Sequence, residues 1–373
     1  MLLNLLISDS FALQFIATTT LVLLLITLYL LASSVLVRNA HLREKHYQDK
    51  KKELYYPLIL AYMVYEDDNL DELRSYIKSD DDILPLLVIL YEIMDSVEGD
   101  EIERLRDMLA LEPIRKYQYR MLSSTHYVNR MDACAYYARL GRLTEEEYKR
   151  VSVYLTNQML MLAHSSATAV MSSSNVEHRK AALKAILLRQ RISRLAILDL
   201  IYQFHNNEFD QMDEEAEILL ELIEDRTFPH DNTSMLIKSA CEIGYVTMAI
   251  DLVSMLENGY WDDSALITEA LIYAMGRFSL GFTAEVLIEK YLKDPRPNVR
   301  RAVAATLESF DEPEHAEHFY TLAKDEEFAV RLKAIYALAG LGETGAVYLK
   351  QLSAETSEMR NLIRGVVAEV EGA

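Results

Sequence analysis

The fold is decided by Asp294-Pro295-Arg296-Pro297-Asn298-Val299-Arg300-Arg301-Ala302-Val303-Ala304. The same pattern returns, at an offset of 31 residues, as Asp325-Glu326-Glu327-Phe328-Ala329-Val330-Arg331-Leu332-Lys333-Ala334-Ile335. Each copy places an acid six residues before an arginine, sets a valine directly before that arginine, and continues into small and apolar residues. A third copy, Glu358-Met359-Arg360-Asn361-Leu362-Ile363, follows 29 residues later. Upstream, Ile237-Lys238-Ser239-Ala240 and Leu271-Ile272-Tyr273-Ala274 share a register at an offset of 34. Fainter echoes are Asn129-Arg130-Met131-Asp132-Ala133-Cys134-Ala135 and His178-Arg179-Lys180-Ala181-Ala182-Leu183. A unit repeating at this length cannot bury its apolar face alone, so it stacks on its neighbours.

Around these copies the apolar period is helical. Leu266, Ala270, Leu271, Ala274 and Met275 recur at three and four. Breaks fall at Asp80-Asp81-Asp82, Glu112-Pro113, Gly141, Pro229, Gly259, Pro295 and Pro313. Thr144-Glu145-Glu146-Glu147 is a capping box at a helix start. No strand pair is evident, and the 11 glycines and 7 prolines are too few for the turns of an all-β chain. The expected class is all-α. Each repeat reads as two helices, the second lying in segments such as 313–324 and 345–352.

The pattern resembles the HEAT family, in particular the short bacterial HEAT-like repeats. The marks are the Asp-x5-Arg spacing, Asp294 to Arg300 and Asp325 to Arg331, with valine before each arginine. The match is good over 294–364, fair over 232–293 and poor over 54–230. In that first part only helical hairpins are claimed, some of them TPR-like. The resemblance implies a right-handed stack of antiparallel helix pairs, an α-solenoid. It also implies that Asp294, Arg300, Asp325 and Arg331 form a ladder between adjacent repeats. An aspartate at a helix N-terminus is favoured by the dipole, and an arginine fork can reach a neighbour's carboxylate or backbone. Arg360 has Ala354 where the acid should stand, which marks a terminal, capping repeat.

Composition separates the chain into two populations. The 373 residues carry a net charge of −20 with 51% apolar and 26% charged residues, an ordinary folded composition. Residues 1–53 carry +2 and the remainder −22. So acidic a chain is a poor general binder of nucleic acid. Residues 11–37 contain no charge and are long enough to cross a bilayer. No base precedes them, so a signal peptide fits less well than an uncleaved anchor. Six bases follow: Arg38, Arg43, Lys45, Lys50, Lys51 and Lys52. Such a flank stays cytoplasmic, which puts the N-terminus outside and the helical array inside at the inner or plasma membrane. The expected division is a short extracytoplasmic segment 1–10, a transmembrane helix 11–37 and a basic juxtamembrane segment 38–53. Helical hairpins 54–165, a small-residue loop 166–175 and a HEAT-like region 176–373, clearest over 232–373, complete it.

Between 178 and 194 stand Arg179, Lys180, Lys184, Arg189, Arg191 and Arg194, with no acid. Two readings compete. One is a patch for an acidic partner, a phosphate-bearing ligand or a membrane surface. The other is a local pairing with the nine acids of 208–225. The acidic band Glu66, Asp67, Asp68, Asp71, Glu72 and Asp80 to Asp82 reads as a helix turned away from lipid and a solvated helix cap. The 23 tyrosines fill gaps between helices with their hydroxyls at the rim. Cys134 and Cys241 sit in apolar helical patterns without zinc spacing and read as reduced core residues.

Motifs that look chemical have simpler explanations. Gly340-Leu341-Gly342-Glu343-Thr344-Gly345 matches GxGxxG, but the strand and βαβ setting are missing. The glycines read as a turn between two helices. His315 and His318 are one residue short of the zinc-protease spacing. No nucleophile elbow or phosphate loop is present. The expectation is therefore a membrane-anchored scaffold or adaptor without cofactor or metal, binding other proteins. By family analogy it would be an accessory subunit of an envelope assembly such as a polysaccharide-synthesising glycosyltransferase complex. Rivals are a regulatory module with an anion site on the 178–194 helix and an enzyme similar to the phycobilin lyases.

Overall fold

No glycine or proline occurs before Pro57, so nothing in the first 56 residues stops a helix. In the computed structural model they form one. The structure describes residues 2–65, 70–205 and 212–372, with side chains from residue 18 to 370 apart from 40, 41, 44, 65 and 212. Glu66, Asp67, Asp68, Glu208 and Asp210 of the acidic bands lie outside the described residues. Helix α1 (Leu2–Tyr65) runs 64 residues, about 96 Å at 1.5 Å per residue. Residues 18–39 within it are long and apolar enough to cross a membrane, and their side chains are exposed. The segment 38–53, expected as a separate element, is the middle of α1, and the region expected to begin at 54 opens with the last turns of the same helix.

The chain divides into two units, residues 1–118 and 119–373. In the first, α1 is followed by α2 (Leu70–Tyr76), α3 (Asp80–Met94), α4 (Asp100–Leu109) and the start of α5 (Glu112–Met121). Its core is Tyr55 and Ile59 of α1 with Ile83, Leu86 and Leu90 of α3 and Leu105 of α4. The end of α1 is thus part of a folded unit, not a tether.

The second unit contains α6 (Tyr127–Leu140), α7 (Glu145–Ser152), α8 (Leu160–Met171), α9 (Val176–Leu187), α10 (Arg194–Phe204), α11 (Met212–Glu224) and α12 (His230–Ile243). It continues with α13 (Ala249–Glu257), α14 (Ala265–Arg277), α15 (Ala284–Val286, extended by a π-helical turn Leu287–Tyr291) and α16 (Pro297–Ser309). It ends with α17 (Ala316–Leu322), α18 (Phe328–Gly340), α19 (Gly342–Glu355) and α20 (Ser357–Gly372). The even-numbered helices from α6 to α20 pack side by side in chain order, and the odd-numbered ones form a second layer. No strand occurs among the described residues. This all-α array of helix pairs fits a HEAT-like solenoid.

The repeat grammar has a packing cause. Val299 and Val330 are fully buried, as are Val303, Leu307, Ile335 and Leu338 further along the same helices. Each such side chain contributes about 1.5–3 kcal/mol. The residue after each valine turns to the edge of the stack, where an arginine can stay charged. Left-handed residues close α12, α14, α16 and α18 in the same register: Gly244, Ser279, Asp311 and Gly342, with φ of 103°, 55°, 55° and 57°. They turn each helix back into the other layer. Gly345 of the GxGxxG match lies against the Leu338 carbonyl; a Cβ there would stand 1.7 Å from that oxygen. The motif is a tight junction between α18 and α19.

One expected boundary is corrected. Residues 166–171 belong to α8, and only 172–175 form the connection to α9. The small residues pack rather than loop. Ser166, Ala167 and Ala169 are fully buried, and the Ser166 hydroxyl donates to the Val151 carbonyl at 2.8 Å.

Candidate functional site

Asp325 sits just before α18, where its Oδ1 accepts the Glu327 amide at 2.8 Å. The Arg300 guanidinium of the preceding repeat meets the same carboxylate through two bonds, Nε–Oδ2 at 2.6 Å and Nη2–Oδ1 at 2.8 Å. Burial pushes the Asp325 carboxyl up, but Arg300 and the Glu327 amide outweigh it and hold it below the usual range. The Arg300 Nη1 also donates to the Asp294 carbonyl at 2.7 Å.

The other implied rungs differ. The Asp294 carboxylate is taken by Arg296 of its own turn, through backbone and guanidinium bonds of 2.7–2.8 Å. The Arg331 Nη1 reaches only the carbonyls of Asp325 and Glu326, at 3.0 and 2.9 Å. No acid stands before α20 in the position that Asp325 holds before α18, since Ala354 occupies it. Of the four ladder residues, the structure joins Arg300 to Asp325 and leaves Asp294 and Arg331 in local contacts.

The six bases of 178–194 are not gathered into one free patch. Arg179 is buried, donating to the Phe204 carbonyl at 2.8 Å and to the fully buried Glu215 at 3.1 Å. The Tyr245 hydroxyl donates to the other Glu215 oxygen at 3.0 Å, and burial pushes its pKa far up. Lys180 pairs with Glu221 and Lys184 with Asp225, so α9 faces the acidic α11. Bonds from Thr227 and Lys184 hold Asp225 down to about 2. Arg194 pairs with Glu242 of α12. Arg189 donates to the carbonyls of Leu155 and Asn157 at 2.7 and 2.6 Å. Among the described residues, Arg191 alone of the six shows no partner.

The bases after the candidate span also divide. Lys51 pairs with Asp82, which further accepts the Tyr47 hydroxyl at 3.0 Å and the amides of Lys78 and Ser79 at 3.0 and 2.9 Å. Burial pushes the Asp82 carboxyl up, but these donors hold it far below the usual range. Asp82 is thus a buried cap and not the solvated one expected. Lys52 meets Glu92 at 3.0 Å. Arg38, Arg43, Lys45 and Lys50 are exposed on α1.

Sequence reading missed a second set of links, from side chains of one repeat to backbone carbonyls of the preceding one. The Tyr291 hydroxyl donates to the Leu256 carbonyl and to Asp262, both at 2.8 Å. Tyr260 reaches the Glu224 carbonyl, Tyr154 the Leu122 carbonyl, and Thr306 the Ile272 carbonyl. Those to Leu256 and Glu224 satisfy helix-end acceptors that would otherwise need water, while Thr306 reaches a carbonyl inside α14. The signal available was the abundance of tyrosine, read correctly as interhelical but without its targets.

Where the N-terminal ends of α6, α8 and α10 meet, a surface groove of about 530 Å³ opens. Met131, Leu160, Met161 and Leu195 supply its apolar lining, with His164 and Arg191 at its rim. Met161 is 65% and Leu195 75% exposed, although the same helices bury Leu162, Ala163, Ile197 and Leu200. Helical periodicity alone could not flag them, because they fall one step outside the buried stripe.

The thiols of Cys134 and Cys241 are buried, which pushes each up to about 12. His315 is buried beside Glu312 at 3.3 Å, and its ring lies 6.3 Å from that of His318. No group of three metal-binding side chains forms among the described residues.

The comparison with curated proteins finds no match for this chain. Residues 284–364, spanning the Arg300–Asp325 rung and α15 to α20, match the family model for HEAT repeats.

Proposed function

We propose that the protein is a membrane-anchored scaffold whose helical array faces the cytoplasm and binds other proteins. The observation that carries this is the continuity of α1. One helix includes the apolar stretch 18–39 and, through Tyr55 and Ile59, the core of the first unit. An array so joined is confined to the membrane surface. Captured partners then meet at raised effective concentration, and weak contacts add. The exposed bases Arg38, Arg43, Lys45 and Lys50 set the orientation and meet anionic headgroups at about 1 kcal/mol each near the surface. HEAT repeats elsewhere mediate protein–protein contact, which supports a binding role over catalysis. The narrower form is an accessory subunit of an envelope assembly, such as a polysaccharide-synthesising glycosyltransferase complex.

The test is affinity capture of tagged full-length protein from detergent-solubilised membranes, compared with a Leu24→Arg/Leu28→Arg variant that cannot span. The expected result is a discrete membrane-protein partner set lost with the span. Identical capture by both proteins, or capture of none, contradicts the reading.

A further inference from the structure

Arg191 is held in an unusual conformation. Its φ is +62°, in the left-handed region that a non-glycine residue enters at a cost of about 1–2 kcal/mol. The loop around it is pinned from both sides. Arg189 grips the Leu155 and Asn157 carbonyls. The Asn232 amide donates to the carbonyls of Leu187 and Arg189 at 2.8 and 2.6 Å. Such strain persists only where the surroundings enforce it, and it collects at ligand-binding positions. Here it presents an exposed guanidinium with no partner among the described residues at the rim of the α6–α8–α10 groove.

The groove itself is apolar and methionine-lined, a surface that adapts to leucine-sized side chains. Asp199, the acid among the lining residues, lies 3.9 Å from His164, whereas no acid among the described residues lies within 4 Å of Arg191. We propose that this groove docks an amphipathic helix of a partner protein, its apolar stripe against Met131, Met161 and Leu195 and a carboxylate on Arg191. Resting on the scaffold reading, this assigns it a surface and a partner chemistry. Helices recognised in this way present anchors at i, i+3 or i+4, and i+7, a spacing suited to the short apolar floor. Arginine supplies the directional, two-bonded contact with an acid that fixes the helix in register.

The experiment uses full-length protein in detergent micelles and two labelled peptides of about 14 residues, roughly four turns. Both carry leucines at i, i+4 and i+7. One bears two glutamates beside the stripe at one end; the other has lysines there. Fluorescence anisotropy should show the glutamate peptide binding about ten-fold tighter, the scale of one good interfacial charge contact. Arg191→Asp, a side chain that tolerates the left-handed backbone, should invert that preference. Leu195→Asp should abolish binding of both peptides, while Val347→Asp, an exposed change on α19, should leave both unaltered. Circular dichroism confirms that each variant is folded. Three results overturn the proposal: no saturable binding up to about 1 mM, binding indifferent to Arg191→Asp, or a protein dimer that Leu195→Asp dissociates. The last would give the groove to a second copy. None of these depends on membrane capture, so loss of the groove and loss of the scaffold reading are told apart.

Discussion

Arg300 clasps Asp325 of the next repeat through two parallel bonds of 2.6 and 2.8 Å, with both side chains about nine-tenths buried. A fork on a carboxylate in such a setting is geometrically specific, and breaking it leaves a charge without its partner. Asp325→Ala should therefore destabilise the C-terminal repeats by about 3 kcal/mol. Arg331→Ala should cost about 1 kcal/mol, since that arginine bonds two carbonyls and lies over the Phe328 ring but meets no carboxylate. Urea denaturation followed by circular dichroism ranks the two; equal effects would contradict the rung.

Gly345→Ala is expected to be more harmful than its size suggests. The added methyl would enter the space of the Leu338 carbonyl, a backbone atom that cannot step aside. The α18–α19 junction must then open, at about 1–3 kcal/mol. Gly340→Ala, with open space around its Cβ position, is the matched control. Thermal unfolding of the two proteins reads the difference.

Asp82 makes the first unit sensitive to acid. Its folded pKa lies below the unfolded value, so its contribution is fully present above the ordinary carboxylate range near pH 4 and is lost as pH falls through the depressed folded value. Lys51→Met removes one of the donors that hold it down. The variant should lose protection of the α3 amides at a higher pH than the parent. Hydrogen exchange as a function of pH checks this; the same onset in both would contradict it.

How much of this was legible beforehand depends on the interaction. Val299-Arg300 and Val330-Arg331 announced buried and edge positions because helix periodicity is local, and the structure honours it. What Arg331 contacts was not local. It depends on the next repeat, where Ala354 stands in place of an acid, as the repeat pattern itself shows. The Ser and Ala run at 165–169 looked like loop because those residues are common in turns, yet close packing of α8 selects them for size. The six bases at 178–194 were counted correctly, but their pairing with α11 is a tertiary fact, as are the groove and the strain at Arg191.

Cys134 and Cys241 should be silent to maleimide in the folded protein, since burial pushes both thiols up to about 12 and little thiolate forms at neutral pH. Mass spectrometry after brief labelling checks this, and denaturant should restore both. Rapid labelling without denaturant would contradict the packing of α6 and α12.

Those silent thiols make the protein suited to a direct test of whether α1 anchors a cytoplasmic array. Single cysteines are placed at Ser10 and at Ser357, and intact cells are treated with a membrane-impermeant maleimide before and after permeabilisation. The expected result is that the protein resists carbonate extraction, that the Ser10→Cys variant labels at once, and that the Ser357→Cys variant labels only after permeabilisation. Release by carbonate, or labelling of Ser357→Cys from outside an intact membrane, would contradict it.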